Sequence, residues 1–143
     1  MIIPDINLLL YAYNRAVPDH EAARTWWEGL LNGQETVGLP WLVTGGFVRL
    51  VTHPRVLEKP MPVAIAVGHV RRWLEQPVVM IPEPGSRFPE LFLGYVEALG
   101  TAGNPTTDAQ LAALVVEHQA ELHSNDVDFA RFGGLRWRNP LRA

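Results

Sequence analysis

Four aspartates stand where a carboxylate could do chemistry. Asp5 closes the apolar run Met1–Pro4, and Asp126 and Asp128 follow the short run Glu121–Ser124. In an open parallel sheet, ligands bind beyond the carboxyl ends of the strands, where the strand order reverses. Acids at such strand ends are therefore candidates for a site. Asp108 adds a different signal. Positions 108, 111, 112 and 115 would share one helix face, and three of them are Leu111, Ala112 and Val115. A carboxylate in line with that buried stripe, at the start of its helix, points toward the sheet edge, and the helix N-terminus favours its ionised form. Ionised acids sharing one cleft repel each other, and a divalent cation relieves that repulsion. The chain has no Cys, and oxygen donors alone suit Mg²⁺ or Mn²⁺ better than Zn²⁺.

Each acid also has a plainer reading. Asp108 can be a helix N-terminal charge, and Asp126 and Asp128 can be turn formers after Ser124-Asn125. An Asp after an apolar run also occurs in haloacid-dehalogenase phosphatases, which want a second Asp two positions on; this chain has Asn7 there. Receiver domains want a late Lys, but the only Lys is Lys59. No paired-His spacing and no Gly-rich phosphate loop is present, so the five His read as surface or packing residues.

Short apolar runs alternate with helical periodicity, which predicts an α/β fold with a mainly parallel sheet of four to five strands flanked by helices. Strands are expected near 2–5, 36–39, 77–82, 121–124 and 135–137. The first helix has apolar positions Ile6, Leu9, Leu10 and Tyr13. A second is opened by Pro18 or Asp19 and stopped at Asn32-Gly33. Trp41–Thr52 is read as a helix despite Gly45-Gly46, and Pro62–Glu75 as another with Val63, Val67, Val70 and Leu74 inward. A fifth covers Phe88–Leu99. The loop Thr101–Pro105 leads to a sixth, Asp108–His118, with Thr106 or Thr107 as its N-cap.

The 143 residues suit a single domain spanning 1–143, and 48% apolar content with five Trp argues for a packed core. No stretch approaches the roughly 18 apolar residues of a membrane span. The opening Met1-Ile2-Ile3-Pro4-Asp5 lacks a basic leader, so a soluble, cytoplasmic protein is expected. A formal charge of −3 is unusual for a nucleic-acid binder. The charge is uneven, however. Thr36–Leu57 carries Arg49 and Arg55 with no acid, and the segment from Ala130 onward carries Arg131, Arg136, Arg138 and Arg142 with none.

Three motifs together resemble one family. Pro4-Asp5-Ile6-Asn7-Leu8-Leu9-Leu10-Tyr11-Ala12 is similar to the opening of the PIN-domain toxins usually called VapC. Gly103-Asn104-Pro105-Thr106-Thr107-Asp108-Ala109-Gln110-Leu111 resembles their central acidic helix. Ser124-Asn125-Asp126-Val127-Asp128-Phe129-Ala130-Arg131-Phe132, followed by Leu135-Arg136-Trp137 and Asn139-Pro140-Leu141, resembles their C-terminal signature. The resemblance implies a PIN-like three-layer fold in which the first strand lies beside the one leading to Asp126. It implies magnesium-dependent cleavage of RNA such as tRNA or rRNA, inhibition by a VapB-type antitoxin, and a homodimer. By position it implies catalytic roles for Asp5, Asp108, Asp126 and Asp128, with Asp5, Asp108 and Asp126 as metal ligands and Asp128 tuning the site or fixing the turn before Phe129. Arg49 and Arg55 are candidates for attracting the RNA backbone, and Trp41 and Trp137 for stacking on bases.

One departure stands out. The family commonly carries a Glu on its third helix, a few residues before an Arg. Here Gly46-Phe47-Val48-Arg49 occupies that place, and no acid lies between Thr36 and Leu57. The departure leaves one well-formed metal site and leaves open, at this level, whether one or two ions bind and whether nuclease activity is weakened. Two alternatives remain at this level: a PIN-like protein that binds RNA or a partner without cutting, and a metal-dependent phosphatase. The antitoxin expectation also draws on apolar residues expected at the surface, Trp26, Trp27 and Trp73.

Overall fold

The structure is a computed structural model, and it describes residues 1–100 and 105–142. Ile2 and Ile3 are β-branched and buried, as a central strand requires, and with Pro4 they form β1 (Ile2–Pro4). Four further strands follow: β2 (Val37–Gly38), β3 (Val79–Met80), β4 (Glu121–His123) and β5 (Trp137–Arg138). All pair in parallel in the order β3-β2-β1-β4-β5. The chain moves outward from β1 to β2 and β3, then returns to the other side of β1 for β4 and β5. The strand order therefore reverses between β1 and β4, whose register pairs Ile2 with Glu121 and Pro4 with His123. Pro4 has no N–H to give, and the ladder resumes at the next residue, where Asp5 N–H donates to the His123 carbonyl at 2.9 Å.

Parallel strands need right-handed crossovers. The β1–β2 connection supplies α1 (Ile6–Tyr13) and α2 (His20–Leu31), and the β2–β3 connection supplies α3 (Trp41–Val51) and α4 (Val63–Leu74). Both connections step the same way across the sheet, so these four helices share one face. The β3–β4 connection steps back, which puts α5 (Phe88–Leu99) and α6 (Pro105–Glu117) on the other face. The expected α/β sandwich is present, with five strands, all of them parallel.

Helix boundaries match the sequence reading closely, but several buried faces do not. In α1 the buried residues are Leu8, Leu9 and Ala12, while Ile6, Leu10 and Tyr13 are only partly covered. In α4 the fully buried residues are Ala66 and Trp73; of the expected stripe, Val70 and Leu74 pack partly buried against the core, and Val63 is exposed. Trp27 and Trp73, expected at the surface, are each 2% exposed. Their rings meet edge to face at 5.3 Å, and Trp73 also contacts Phe47 at 4.7 Å. A large aromatic gains more from burial than a valine, so it sets the rotation of the helix. The last helix begins at Pro105, a favoured first position, so Thr106 and Thr107 lie inside its first turn rather than at its cap. The expected loop 101–104 falls outside the described residues.

A carboxylate ties the return connection together. Glu117, at the end of α6, accepts from Gly85 N–H at 2.7 Å and Arg87 N–H at 2.9 Å, just before α5. A Cβ at position 85 would come within 2.8 Å of Glu117 Oε2, which explains the glycine. Glu117→Ala leaves two backbone donors without this acceptor and should lower unfolding stability by about 1 to 2 kcal/mol. Urea denaturation measures the difference, and a change below about 0.3 kcal/mol would mean that water replaces the carboxylate without loss.

A candidate acidic metal centre

Asp5 sits at the first residue beyond β1 with an extended backbone (φ −81°, ψ 156°), which makes it the N-cap of α1. Its Oδ1 accepts from Ile6 N–H at 2.7 Å, and its Oδ2 accepts from the Ser124 hydroxyl, also at 2.7 Å. Ser124 follows β4 and is fully buried. Its oxygen also accepts from Asp126 N–H at 3.0 Å. One serine thus links the ends of the two strands that flank the reversal point. Asp126 caps a short 3₁₀ helix, Val127–Arg131, by accepting from Asp128 N–H at 2.9 Å. Asp126 is thus a turn former, as its plainer reading expects.

Asp108 lies in the first turn of α6. Leu111, Ala112 and Val115 are buried, as the helix face predicts, and Asp108 itself is half-buried. Its Oδ2 lies 3.4 Å from the Arg131 guanidinium, which also covers the Phe132 ring at 5.3 Å. Asp128 is exposed at the rim.

The proton affinities report how these groups face one another. Burial pushes the Asp5 carboxyl from its ordinary 3.8 up to about 6; the hydrogen bonds from Ser124 and Ile6 oppose that rise, and the charges of Asp108 and Asp126 add to it. Burial also raises Asp108, with the charges of Asp126 and Asp128 adding to the rise and Arg131 opposing it. Asp5, Asp108 and Asp126, 121 positions apart at the extremes, are thus brought within electrostatic reach at one sheet edge. Among the described residues, no three acidic or imidazole side chains are yet drawn tightly enough to ligate one ion. Asp108 leans toward Arg131, and Asp126 holds its own turn.

The donor set nevertheless suits a hard divalent cation. It offers three carboxylates and a buried hydroxyl, with no sulfur or histidine in the group. Asn7, in the first turn after Asp5, has a buried side-chain oxygen without a hydrogen-bond partner, an unmet polar group of the kind found near ion sites.

The third-helix glycine has a steric partner. A Cβ on Gly46 would collide with Ile6 Cδ1 and come within 3.2 Å of Ile6 Cγ1. Ile6, directly after Asp5, fills the space into which a larger residue at 46 would project. Arg49 lies one helical turn further along α3, exposed, and Arg55 lies in the turn beyond α3, where its N–H donates to the His53 ring. Among the described residues neither guanidinium is bonded to the acids. The cation that does approach them is Arg131, which sequence reasoning did not single out. Its signal was its place three residues after Asp128 on a helical turn. Ser124 was missed too, although a small polar residue between an apolar strand and two acids was a readable cue.

His123 is a packing residue, as expected of the histidines. Its Nδ1 accepts from Trp26 Nε1 at 3.0 Å, and its Nε2 donates to Glu121 at 2.9 Å.

An all-parallel sheet between two helix layers, with acids beyond its reversal point, defines an α/β protein. The PIN domain profile matches residues 2–135, and the chain belongs to the PIN-domain family. It is 49% identical over 142 residues to Ribonuclease VapC33 of Mycobacterium tuberculosis, covering 99% of both chains. It is 39% identical over 140 residues to Ribonuclease VapC37 of the same organism, covering 98% of this chain and 97% of that one. Among solved structures it resembles VapC20 of M. tuberculosis, described as a sarcin-ricin loop cleaving toxin, with a TM-score of 0.67 and 19% identity over 95% of this chain and 99% of that one. It also resembles VapBC2 from Rickettsia felis bound to a promoter DNA fragment, with a TM-score of 0.69 and 19% identity over 97% and 98% of the two chains.

Proposed function

We propose that this protein is the toxin component of a toxin–antitoxin pair and acts as a metal-dependent ribonuclease, hydrolysing phosphodiester bonds in a structured RNA such as tRNA or rRNA. The observation that carries this reading is that Asp5, Asp108 and Asp126 lie within electrostatic reach of one another beyond the β1–β4 reversal point. The full-length likeness to relatives named ribonucleases supports it. Asp5, Asp108 and Asp126 would hold Mg²⁺, or Mn²⁺ in its place. When bound there, such an ion supplies acidity toward water and charge neutralisation for a phosphate.

The remaining work falls to the chain's own residues. Ser124 holds the Asp5 carboxylate in one orientation from the side opposite Ile6 N–H. Arg131 stands beside Asp108, where a guanidinium can take a phosphate oxygen once the carboxylate turns away from it. Asp128 adds negative charge at the rim and starts the 3₁₀ turn. Arg49 and Arg55 would serve the RNA backbone at longer range, in a salt-dependent way.

A VapB-type antitoxin and a second copy of this chain are the proposed partners. Exposed apolar residues supply surface for them, notably Trp41 (55% exposed), Leu93 (52%) and Val127 (69%), and α5 contains no buried residue at all. Trp26, Trp27 and Trp73 do not contribute as expected, because the last two are interior and Trp26 packs on His123. Among the described residues no helix is long and apolar enough to cross a membrane; a cytoplasmic location fits a cysteine-free chain acting on RNA.

Cleavage of tRNA and rRNA should require Mg²⁺ or Mn²⁺, stop with EDTA, and fall by at least about 100-fold in Asp108→Ala. Gel assays and a Mn²⁺ binding titration test this together. Undiminished cleavage in the variant or in EDTA would overturn the assignment.

A further inference from the structure

On the outer strand β5 lies an open recess of about 520 Å³ lined by Trp137, Arg138, Asn139 and Arg142. That falls within the range of ligand-sized clefts, roughly 300–1,000 Å³. Its wall is tied at two points to the loop that carries Asp126. Trp137 Nε1 donates to the Ser124 carbonyl at 3.1 Å, and Asn139 Nδ2 donates to Asn125 Oδ1 at 2.8 Å. The parallel register of β4 and β5 sets His123 beside Arg138, so the residues that follow each strand emerge at the same sheet edge.

The lining contains two guanidinium groups and no acid. Arg142 is already neutralised by Asp19, with contacts of 3.1 and 3.0 Å. Arg138 is exposed and, among the described residues, has no acid partner. Trp137 is half-buried, packs against the core and donates its indole N–H to the Ser124 carbonyl, which orients its ring. An oriented indole next to an unpaired guanidinium is the combination that binds single-stranded nucleic acid, through base stacking and phosphate attraction.

We propose that this recess is a substrate subsite: Trp137 stacks an unpaired base of the RNA next to the cleaved bond, and Arg138 holds that nucleotide's phosphate. The inference rests on the ribonuclease reading and adds the substrate feature it selects, an unpaired nucleotide flanking the cut. A paired base cannot offer its face to the indole, so the subsite favours loops over continuous duplex.

The test uses the full chain carrying Asp5→Asn, so that RNA binds without being cut, and a fluorescently labelled stem–loop RNA with an unpaired loop, alongside a blunt duplex. In that background Arg138→Gln should weaken stem–loop binding about 10-fold and reduce the slope of log Kd against log salt by about 1. Trp137→Leu should weaken stem–loop binding by about 5- to 100-fold, Trp137→Phe by less, and duplex binding should change little in either. Arg138 is exposed, so its variant reads binding without a folding defect. Unchanged stem–loop affinity and salt slope in Arg138→Gln would overturn the subsite. So would equal losses on stem–loop and duplex in Trp137→Leu. Cleavage that survives Asp5→Asn alone would instead overturn the underlying nuclease reading, so the two failures are separable.

Discussion

Asp5→Asn is expected to cut RNA cleavage by at least about 100-fold while making the protein more stable at neutral pH. The two effects come from one carboxyl. It is buried, and the charges of Asp108 and Asp126 add to the effect, so its ionised form is disfavoured in the folded state and its pKa rises from 3.8 to about 6. That rise corresponds to roughly 3 kcal/mol of penalty on the charged form at pH 7 and above. Asparagine keeps the oxygen that caps Ile6 N–H, and the Ser124 hydroxyl can rotate to accept from the new amide, so the local bonds survive.

The sign of the pH dependence follows. A carboxyl whose pKa is raised on folding binds its proton more readily in the native state. Its contribution to stability is complete below 3.8 and is lost as the pH rises through about 6. The variant should therefore gain up to about 3 kcal/mol over the parent at pH 7.5. The gain should shrink steadily as the pH falls toward 3.8. Metal binding to the parent should likewise weaken below about pH 6, because protons and the cation compete for Asp5. Urea melts at several pH values and a Mn²⁺ titration measure both. A variant less stable than the parent at pH 7.5 would show that Asp5 is not strained in the way its surroundings imply.

The largest loss of stability is expected from Trp73→Ala, at about 3 to 5 kcal/mol. Trp73 of α4 touches three other helices. Its ring meets Trp27 of α2 and Phe47 of α3, and its indole N–H donates to the Tyr13 hydroxyl at the end of α1 at 3.1 Å. Removing it empties a large volume among residues that cannot collapse together, because each belongs to a different helix. Trp73→Phe should lose less, since a ring remains but the hydrogen bond does not. Both should cleave RNA normally at temperatures well below their melting points, since Trp73 sits at the opposite end of α1 from Asp5. Chemical denaturation gives the energies; a loss below about 1 kcal/mol for the alanine would mean that the helices close over the gap.

Local patterning was sufficient for the elements. Apolar runs broken by Gly and Pro located all five strands, and helical periodicity with stop signals located all six helices, because both depend on neighbours a few residues away. Strand alternation with helices was enough for a parallel sheet, since a parallel pair needs a crossover. The acids were legible as candidates for the same reason: Asp5 ends an apolar run, Asp126 follows a short strand, and Asp108 lies in line with a buried helix face.

What needed the tertiary structure was everything set by distant neighbours. Val63 and Trp73 share a helix and are both apolar, and only the packing of α4 on Trp27 and Phe47 decided which went inside. Arg131 and Ser124 became site residues because β4 pairs with β1, which sets Ser124 against Asp5 across 119 positions of sequence. The glycine at 46 acquired its reason from Ile6, forty residues away, and the raised pKa of Asp5 from its burial, with the charges of Asp108 and Asp126 adding to it. A sequence states which groups a chain owns, and near-neighbour physics arranges them into strands and helices. Which groups share a dielectric, a void or a charge is settled only when the strands pair, because burial and Coulomb energies depend on distance in space.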